Sequence, residues 1–308
     1  MSHKITIVGA GMTGATAAHW LAERELAEIA LIDVVEGMPQ GKALDLFQAM
    51  PVIGKDVKIT GSNDYAASEG SDIVVITAGL PRKPGMSRDD LLAVNSDIVK
   101  KATEETLKSS PNAIYIILTN PLDAMCYVAM KAGGLPRERV IGQAGILDSA
   151  RMRAFVAMEL GVSVENIFCY VLGGHGDSMV PLTRHSNVAG VPLNETMPAD
   201  RLEAIVDRTR KGGGEIVALL KQGSAFYAPS VAVAQMAEAI LKDKQLIAPC
   251  AVYMNGEYGL KDIFFGAPAQ LGRKGLEKVI EYELNDDEKA MLENSAAEVR
   301  ELTAALKI

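Results

Sequence analysis

His175 stands in the run Gly173-Gly174-His175-Gly176-Asp177. Glycines on both sides of a histidine serve no core-packing purpose, but they leave the ring open to a ligand. An imidazole there suits proton transfer near neutral pH. Asp148 and Arg151 are a second pair able to do chemistry. Three residues apart at a predicted helix start, they share one face. By themselves they read as a surface ion pair. A third group is Arg82, Lys83 and Arg88 in the stretch 81–88, Pro-Arg-Lys-Pro-Gly-Met-Ser-Arg. Pro81, Pro84 and Gly85 exclude continuous helix and suit a loop that closes over a site. Taken alone, three cations on a loop are more often a solvated surface. This loop follows an apolar run at 73–78, where doubly wound folds place anionic ligands.

Gly9-Ala10-Gly11-Met12-Thr13-Gly14 fits GxGxxG, directly after a strand-like run and at the opening of a helix. The first glycine allows the tight turn, the second admits a pyrophosphate to the backbone, and the third lets helix pack on strand. Free N–H groups and a partial positive charge at the helix start favour that pyrophosphate. Asp33 follows Gly14 by nineteen residues, at the end of the second strand. A carboxylate there accepts hydrogen bonds from ribose hydroxyls and repels a 2′-phosphate. Val34 and Val35 come next, with no arginine to receive such a phosphate. The pattern predicts NAD rather than NADP.

The elements that must position these residues alternate. Strand-like runs at 5–8, 29–32, 73–76 and 114–118 are separated by helical patterns at 12–26, 41–50, 91–107 and 124–131. Such alternation means right-handed βαβ units and a parallel sheet. After about residue 145 the pattern changes. Helices are expected at 149–160, 200–220 and 231–242, a strand at 166–172, and short strands near 251–254 and 262–267. A last amphipathic helix runs from 286 to about 306, with Asn285 as its N-cap. The expected fold is α/β: a Rossmann-type doubly wound parallel sheet over 1–144, followed by an α+β substrate domain over 145–308.

The 308 residues are 48% hydrophobic and 23% charged, with 31 Lys plus Arg against 39 Asp plus Glu and a net charge of −8. An acidic chain without a basic stripe is a poor partner for nucleic acid or anionic membrane. No apolar run approaches the roughly 18–20 residues of a membrane span. Met1-Ser2-His3-Lys4 enters a strand-like run at once and leaves no room for a signal peptide. Cys126, Cys169 and Cys250 form no CxxC pair, which argues against a disulfide framework or a zinc site and for small buried hydrophobes. A cytoplasmic protein without a metal is expected.

GAGMTG, TAGLPRKPGMSR, TNPLDAM, GQAGILDSAR and GGHGD occur in the order found in the lactate/malate dehydrogenase family, and the chain resembles that family nearly end to end. GGHGD and the run TRKGGGEI (209–216) look most like its lactate-dehydrogenase-like malate dehydrogenases. The resemblance implies that His175 donates the proton in ketone reduction and accepts it in the reverse direction, with Asp148 holding its ring. It makes Arg151 the bidentate clamp of the substrate C1 carboxylate. It has Arg88 polarise the carbonyl and Asn120 contact both substrate and cofactor. Cofactor contacts fall to Gly9, Ala10, Gly11, Met12, Thr13, Gly14, Asp33, Asn95 and the Leu118-Thr119-Asn120 segment. At the position of Arg82, lactate dehydrogenases of the family usually carry Gln and malate dehydrogenases Arg. An arginine matches the second carboxylate of oxaloacetate and is left unmatched by the methyl of pyruvate. The implied activity is NAD-dependent interconversion of malate and oxaloacetate by a homodimer or homotetramer. Lactate dehydrogenase is the nearest alternative. A non-catalytic NAD-binding redox sensor is the alternative from another class, and it would not need Asp148, Arg151 and His175 together.

Asp33 generates the first test. Initial rates should favour NADH strongly over NADPH, and Asp33→Ser should narrow the gap. Equal use of both cofactors by the unmodified chain would remove the role given to Asp33.

Overall fold

Short runs rich in β-branched residues build a nine-stranded sheet. In the computed structural model, residues 3–81 and 88–307 are described, Arg88 and Asp89 by their backbone alone. The first six strands are β1 (Lys4–Val8), β2 (Glu28–Ile32), β3 (Ile59–Ser62), β4 (Ile73–Ile76), β5 (Ile114–Ile117) and β6 (Val140–Gly142). They pair in parallel in the order 3-2-1-4-5-6, the doubly wound arrangement. Every residue of β4 and β5 is buried, as strands covered on both faces must be. Helices α1 (Met12–Glu23), α2 (Met38–Ala49), α3 (Arg88–Ser109) and α4 (Leu122–Gly133) make the crossovers. Sequence patterning did not reveal β3 or β6, because ITGS and VIG are too short to carry a period of two. Strand order reverses at β1, which pairs with both β2 and β4. A ligand crevice opens at such a point, outside the carboxyl ends of the strands.

The second half begins with α5 (Gly145–Leu160). Short strands follow: β7 (Ile167–Phe168), β8 (Val171–Leu172), β9 (Val180–Pro181), β10 (Asn187–Val188) and β11 (Val191–Pro192). The expected strand at 166–172 is therefore two strands, which belong to different small sheets. Then come α6 (Leu193–Thr196), α7 (Ala199–Leu220), α8 (Tyr227–Leu241), β12 (Leu246–Asn255), β13 (Lys261–Gly272), β14 (Gly275–Val279) and α9 (Asp286–Ala304). The short strands expected near 251–254 and 262–267 are in fact ten and twelve residues long. Pro249 faces Pro268 across that pair, and prolines within a run argue against strand when only the sequence is read. β12 meets β6 in antiparallel sense at Ala251 and Gly142, so both halves contribute to one sheet. They also share a core: Ile116 and Ile141 from the first half lie in one apolar cluster with Leu172, Val180 and Phe265 from the second.

β13 and α9 hold the loop after β8 from two sides. Gly173 and Gly266 of β13 exchange backbone hydrogen bonds of 2.9 and 3.2 Å, and a Cβ on Gly266 would stand 2.3 Å from the Gly173 carbonyl oxygen. Gly173 itself has φ +91°, which suits glycine. From the other side, Ser295 Oγ of α9 accepts the Gly174 N–H at 2.9 Å. α9 is in turn fixed by the Asn285/Glu288 capping box at its start and by Arg184, whose Nη2 donates to Glu288 at 2.7 Å.

Gly266→Ala should force the bridge to Gly173 apart. Overpacking of this kind costs about 1–3 kcal/mol, or a melting temperature lower by roughly 1.5–5 °C in a chain of this size. Calorimetry reads the shift; an unchanged melting temperature would mean the approach is not tight.

Candidate active site

β1 ends in the GAGMTG turn. Gly9 adopts φ +106°, and a Cβ there would lie 2.6 Å from the Ala78 amide nitrogen. A Cβ on Gly14 would stand 1.8 Å from the Gly9 carbonyl oxygen, so α1 can leave the strand this closely only with glycine there. Gly11 is the N-cap of α1, with no side-chain cap, and a Cβ on it would meet nothing within 4 Å. The turn thus presents uncapped helix N–H groups and open space, a cradle that fits a dinucleotide pyrophosphate. Asp33 Oδ2 accepts the Ala10 N–H at 2.7 Å, and Oδ1 accepts the Val35 N–H at 3.0 Å. Each oxygen retains a second acceptor site. The Asp33 carboxylate therefore braces the turn with acceptor capacity to spare.

Where β4 and β5 end, Thr119 Oγ1 donates to the Ala78 carbonyl at 2.7 Å. Asn95, on α3, is buried. Its Oδ1 accepts the Leu80 N–H at 2.8 Å, and its Nδ2 donates to the carbonyl oxygens of Asn120 at 2.7 Å and Leu80 at 3.2 Å. Its amide therefore spans two loops of the crevice as a strut. Leu118 is half-buried, Thr119 is buried and Asn120 is exposed. Arg82 lies outside the described residues. Arg88 opens α3, but its side chain is outside them.

The candidate proton-transfer groups, His175 and Asp148, meet in the second half. α5 begins at Gly145, four residues earlier than the pattern predicts, which puts Asp148 in its first turn and near the positive end of the helix dipole. Asp148 Oδ2 bonds to His175 Nδ1 at 2.9 Å, and Oδ1 accepts from Arg151 Nη1 at 3.0 Å. The Asp148 side chain is only 3% exposed, and the His175 ring 17%. A carboxylate only accepts, so Nδ1 carries the hydrogen and Nε2 is the atom left to exchange a proton. What sequence reasoning alone leaves as a surface pair is here a buried relay. Arg151 Nε is buried with no partner among the described residues, an orphaned donor of the sort an anionic ligand would satisfy. Room for the guanidinium comes from α7: a Cβ on Gly212 would sit 3.1 Å from Arg151 Cδ, and one on Gly213 3.6 Å from Nη2. Glycines inside a helix cost about 0.5–1 kcal/mol each, and these two face Arg151.

One residue escapes the sequence reading as a site member. Asp123, in the first turn of α4, accepts the His175 backbone N–H on Oδ2 at 2.9 Å. Its side chain is buried and Oδ1 has no partner among the described residues. Burial pushes its carboxyl up to about 6. A usable signal exists: Asp123 is a lone carboxylate among Leu122, Ala124, Met125 and Cys126. Burial works against the charged form of His175, but the Asp148 carboxylate on Nδ1 and the Asp123 carboxylate outweigh it. The imidazole pKa lies above its ordinary value. A cavity of about 370 Å³ beside the ring is bordered by His175, Asp123, Asp177 and Glu298.

Residues 3–142 match the model for the lactate/malate dehydrogenase NAD binding domain, and residues 146–307 that for the lactate/malate dehydrogenase alpha/beta C-terminal domain. The chain is 58% identical over 307 residues to the malate dehydrogenase of Roseiflexus sp. (strain RS-1), covering 100% of this chain and 99% of that one. Among solved structures it superposes on Cryptosporidium parvum malate dehydrogenase with a TM-score of 0.97 at 43% identity, covering 100% of this chain and 99% of the other. It superposes on the lactate dehydrogenase of the same organism, complexed with lactic acid and nicotinamide adenine dinucleotide, at 0.96 and 40%, covering 99% and 98%.

With four histidines in the chain, the His175 ring protons are resolvable by NMR titration. The midpoint should lie above that of a free imidazole, about 6.5. Asp123→Asn and Asp148→Asn should each lower it, because each removes a charge that favours the imidazolium. A midpoint unmoved by Asp123→Asn would detach that carboxylate from the histidine.

Proposed function

The chain belongs to the lactate/malate dehydrogenase family, and on that premise we propose that it interconverts malate and oxaloacetate with NAD as the hydride carrier. The observation that carries this reading is the buried line from Arg151 through Asp148 to His175, beside a crevice shaped for a dinucleotide. When bound, the nicotinamide gives or takes the hydride at substrate C2.

In reduction, His175 starts with a hydrogen on both ring nitrogens. Nδ1–H donates to Asp148, and the Nε2 proton passes to the carbonyl oxygen of oxaloacetate, which becomes the malate hydroxyl. The ring is then neutral and keeps its orientation through Asp148, much as in a hydrolase triad. Oxidation begins from that neutral ring, whose Nε2 lone pair takes the hydroxyl proton. Arg151 holds the C1 carboxylate with its unpaired donors, Arg88 polarises the carbonyl, and Asn120 contacts substrate and cofactor. Arg82 pairs with the second carboxylate. Malate and lactate dehydrogenases share this fold, so the acid is selected by side chains, and Arg82 is the one whose charge matches the difference.

We propose further that residues 1–144 are the NAD-binding domain and 145–308 the substrate domain that carries Asp148, Arg151 and His175, with Arg82, Arg88 and Asn120 reaching the acid from the first. β6 ends at Gly142 and α5 starts at Gly145, which supports that division. A homodimer or homotetramer is proposed on the exposed apolar residues Leu44, Phe47, Val52 and Ile53 along and after α2, with Val217, Leu219 and Leu220 at the end of α7. A cytoplasmic location accords with there being, among the described residues, no helix long and apolar enough to cross a membrane.

Arg82→Gln should lower kcat/KM for oxaloacetate by about 2–4 kcal/mol, or roughly 30- to 1000-fold, and leave pyruvate unharmed or improved. Equal loss on both substrates would make Arg82 a general electrostatic element. Oxaloacetate reduction needs the protonated ring, so kcat/KM should hold at low pH and fall as pH rises through the elevated pKa of His175. Malate oxidation should show the opposite limb.

A further inference from the structure

Lys42 sits on α2, half-buried, and its Nζ donates to the Ala10 carbonyl oxygen at 2.7 Å. Ala10 is the middle residue of the Gly9-Ala10-Gly11 turn, and its N–H is held by Asp33 Oδ2, also at 2.7 Å. Both polar backbone atoms of one turn residue are thus gripped by opposite charges from different elements. The grip closes into a ring. The Asp33 carbonyl accepts from Asn63 Nδ2 at 2.7 Å, Asn63 Oδ1 accepts from Gln40 Nε2 at 2.7 Å, and Gln40 lies two residues before Lys42 on α2. α2 cannot drift from this position easily, because Gly61 of β3 lies against it. A Cβ on Gly61 would stand 2.1 Å from the Pro39 carbonyl oxygen.

A lysine ammonium is strongly hydrated and carries a large rotamer entropy, so ordering it on a backbone carbonyl calls for a reason. The carbonyl does not neutralise its charge. That leaves a positive charge beside the turn whose uncapped N–H groups fit a pyrophosphate. Resting on the NAD reading above, we propose that Lys42 is a positioning residue for the dinucleotide: it locks the Ala10 peptide so that the turn is preorganised, and it adds favourable charge there. Asp33 would then set which dinucleotide is taken, and Lys42 how tightly either is held.

The test is direct binding of NADH, followed by its fluorescence without substrate, in the unmodified chain, Lys42→Met and Lys42→Arg. The unmodified chain must bind NADH; if it does not, the cofactor reading fails and Lys42 is not at issue. Given binding, Lys42→Met should raise Kd roughly 5- to 30-fold, the loss of a charge-assisted hydrogen bond discounted for partial exposure. kcat at saturating NADH should stay within about twofold, because the proton relay is elsewhere. Lys42→Arg keeps charge and donors and should recover most of the affinity. Unchanged NADH affinity in Lys42→Met would overturn the proposal. So would a loss that Lys42→Arg does not rescue, or a fall in kcat matching the fall in affinity.

Discussion

A carboxylate almost removed from water organises this molecule. Asp148 divides its two oxygens between His175 and Arg151, and a buried charge left without such partners costs several kcal/mol. Its partners must therefore arrive from fixed directions. Arg151 comes from the next turn of α5, at a spacing that helix geometry supplies. His175 comes from the loop after β8, and nothing local determines its approach. The glycines of α7 face Arg151, at a cost in helix stability, and leave room for the guanidinium beside the carboxylate.

Most of the second half serves to deliver His175. Its loop is sewn to β13 through Gly266, to α9 through Ser295 and to α4 through Asp123. Three elements far apart in sequence thus grip three consecutive residues by their backbone, which leaves the ring free. A histidine held by its main chain and oriented by one carboxylate can cycle between two protonation states without moving. The second carboxylate adds charge without touching the ring.

The dinucleotide turn follows the same logic. Its backbone is fixed by Asp33 and Lys42, while the N–H groups that meet a ligand stay uncapped. Asn95 does the equivalent work at the other end of the crevice, with its amide bridging Leu80 and Asn120. Side chains hold the frame, and exposed backbone faces the ligand.

Much of this was legible in the order of residues. Strand and helix periodicity placed β1, β2, β4 and β5, and GAGMTG with Asp33 marked the cofactor turn, because those signals are local and lie within one βαβ unit. His175 stood out because flanking glycines are visible in the chain itself, and Asn285 because a cap is read within four residues. β3, β6 and the full lengths of β12 and β13 were hidden: short strands carry no period, and Pro249 and Pro268 mask a pairing that is satisfied only across the sheet. The joining of Asp148 to His175 was implied only by the family resemblance and not by the spacing of the residues, while the use of Asp123 as a brace and the closing of Lys42 and Asp33 around Ala10 were decided by tertiary structure alone. Each depends on a distance between residues 23 to 52 apart in sequence, and such separations become contacts only when packing brings the strand ends and helix starts to one edge of the sheet.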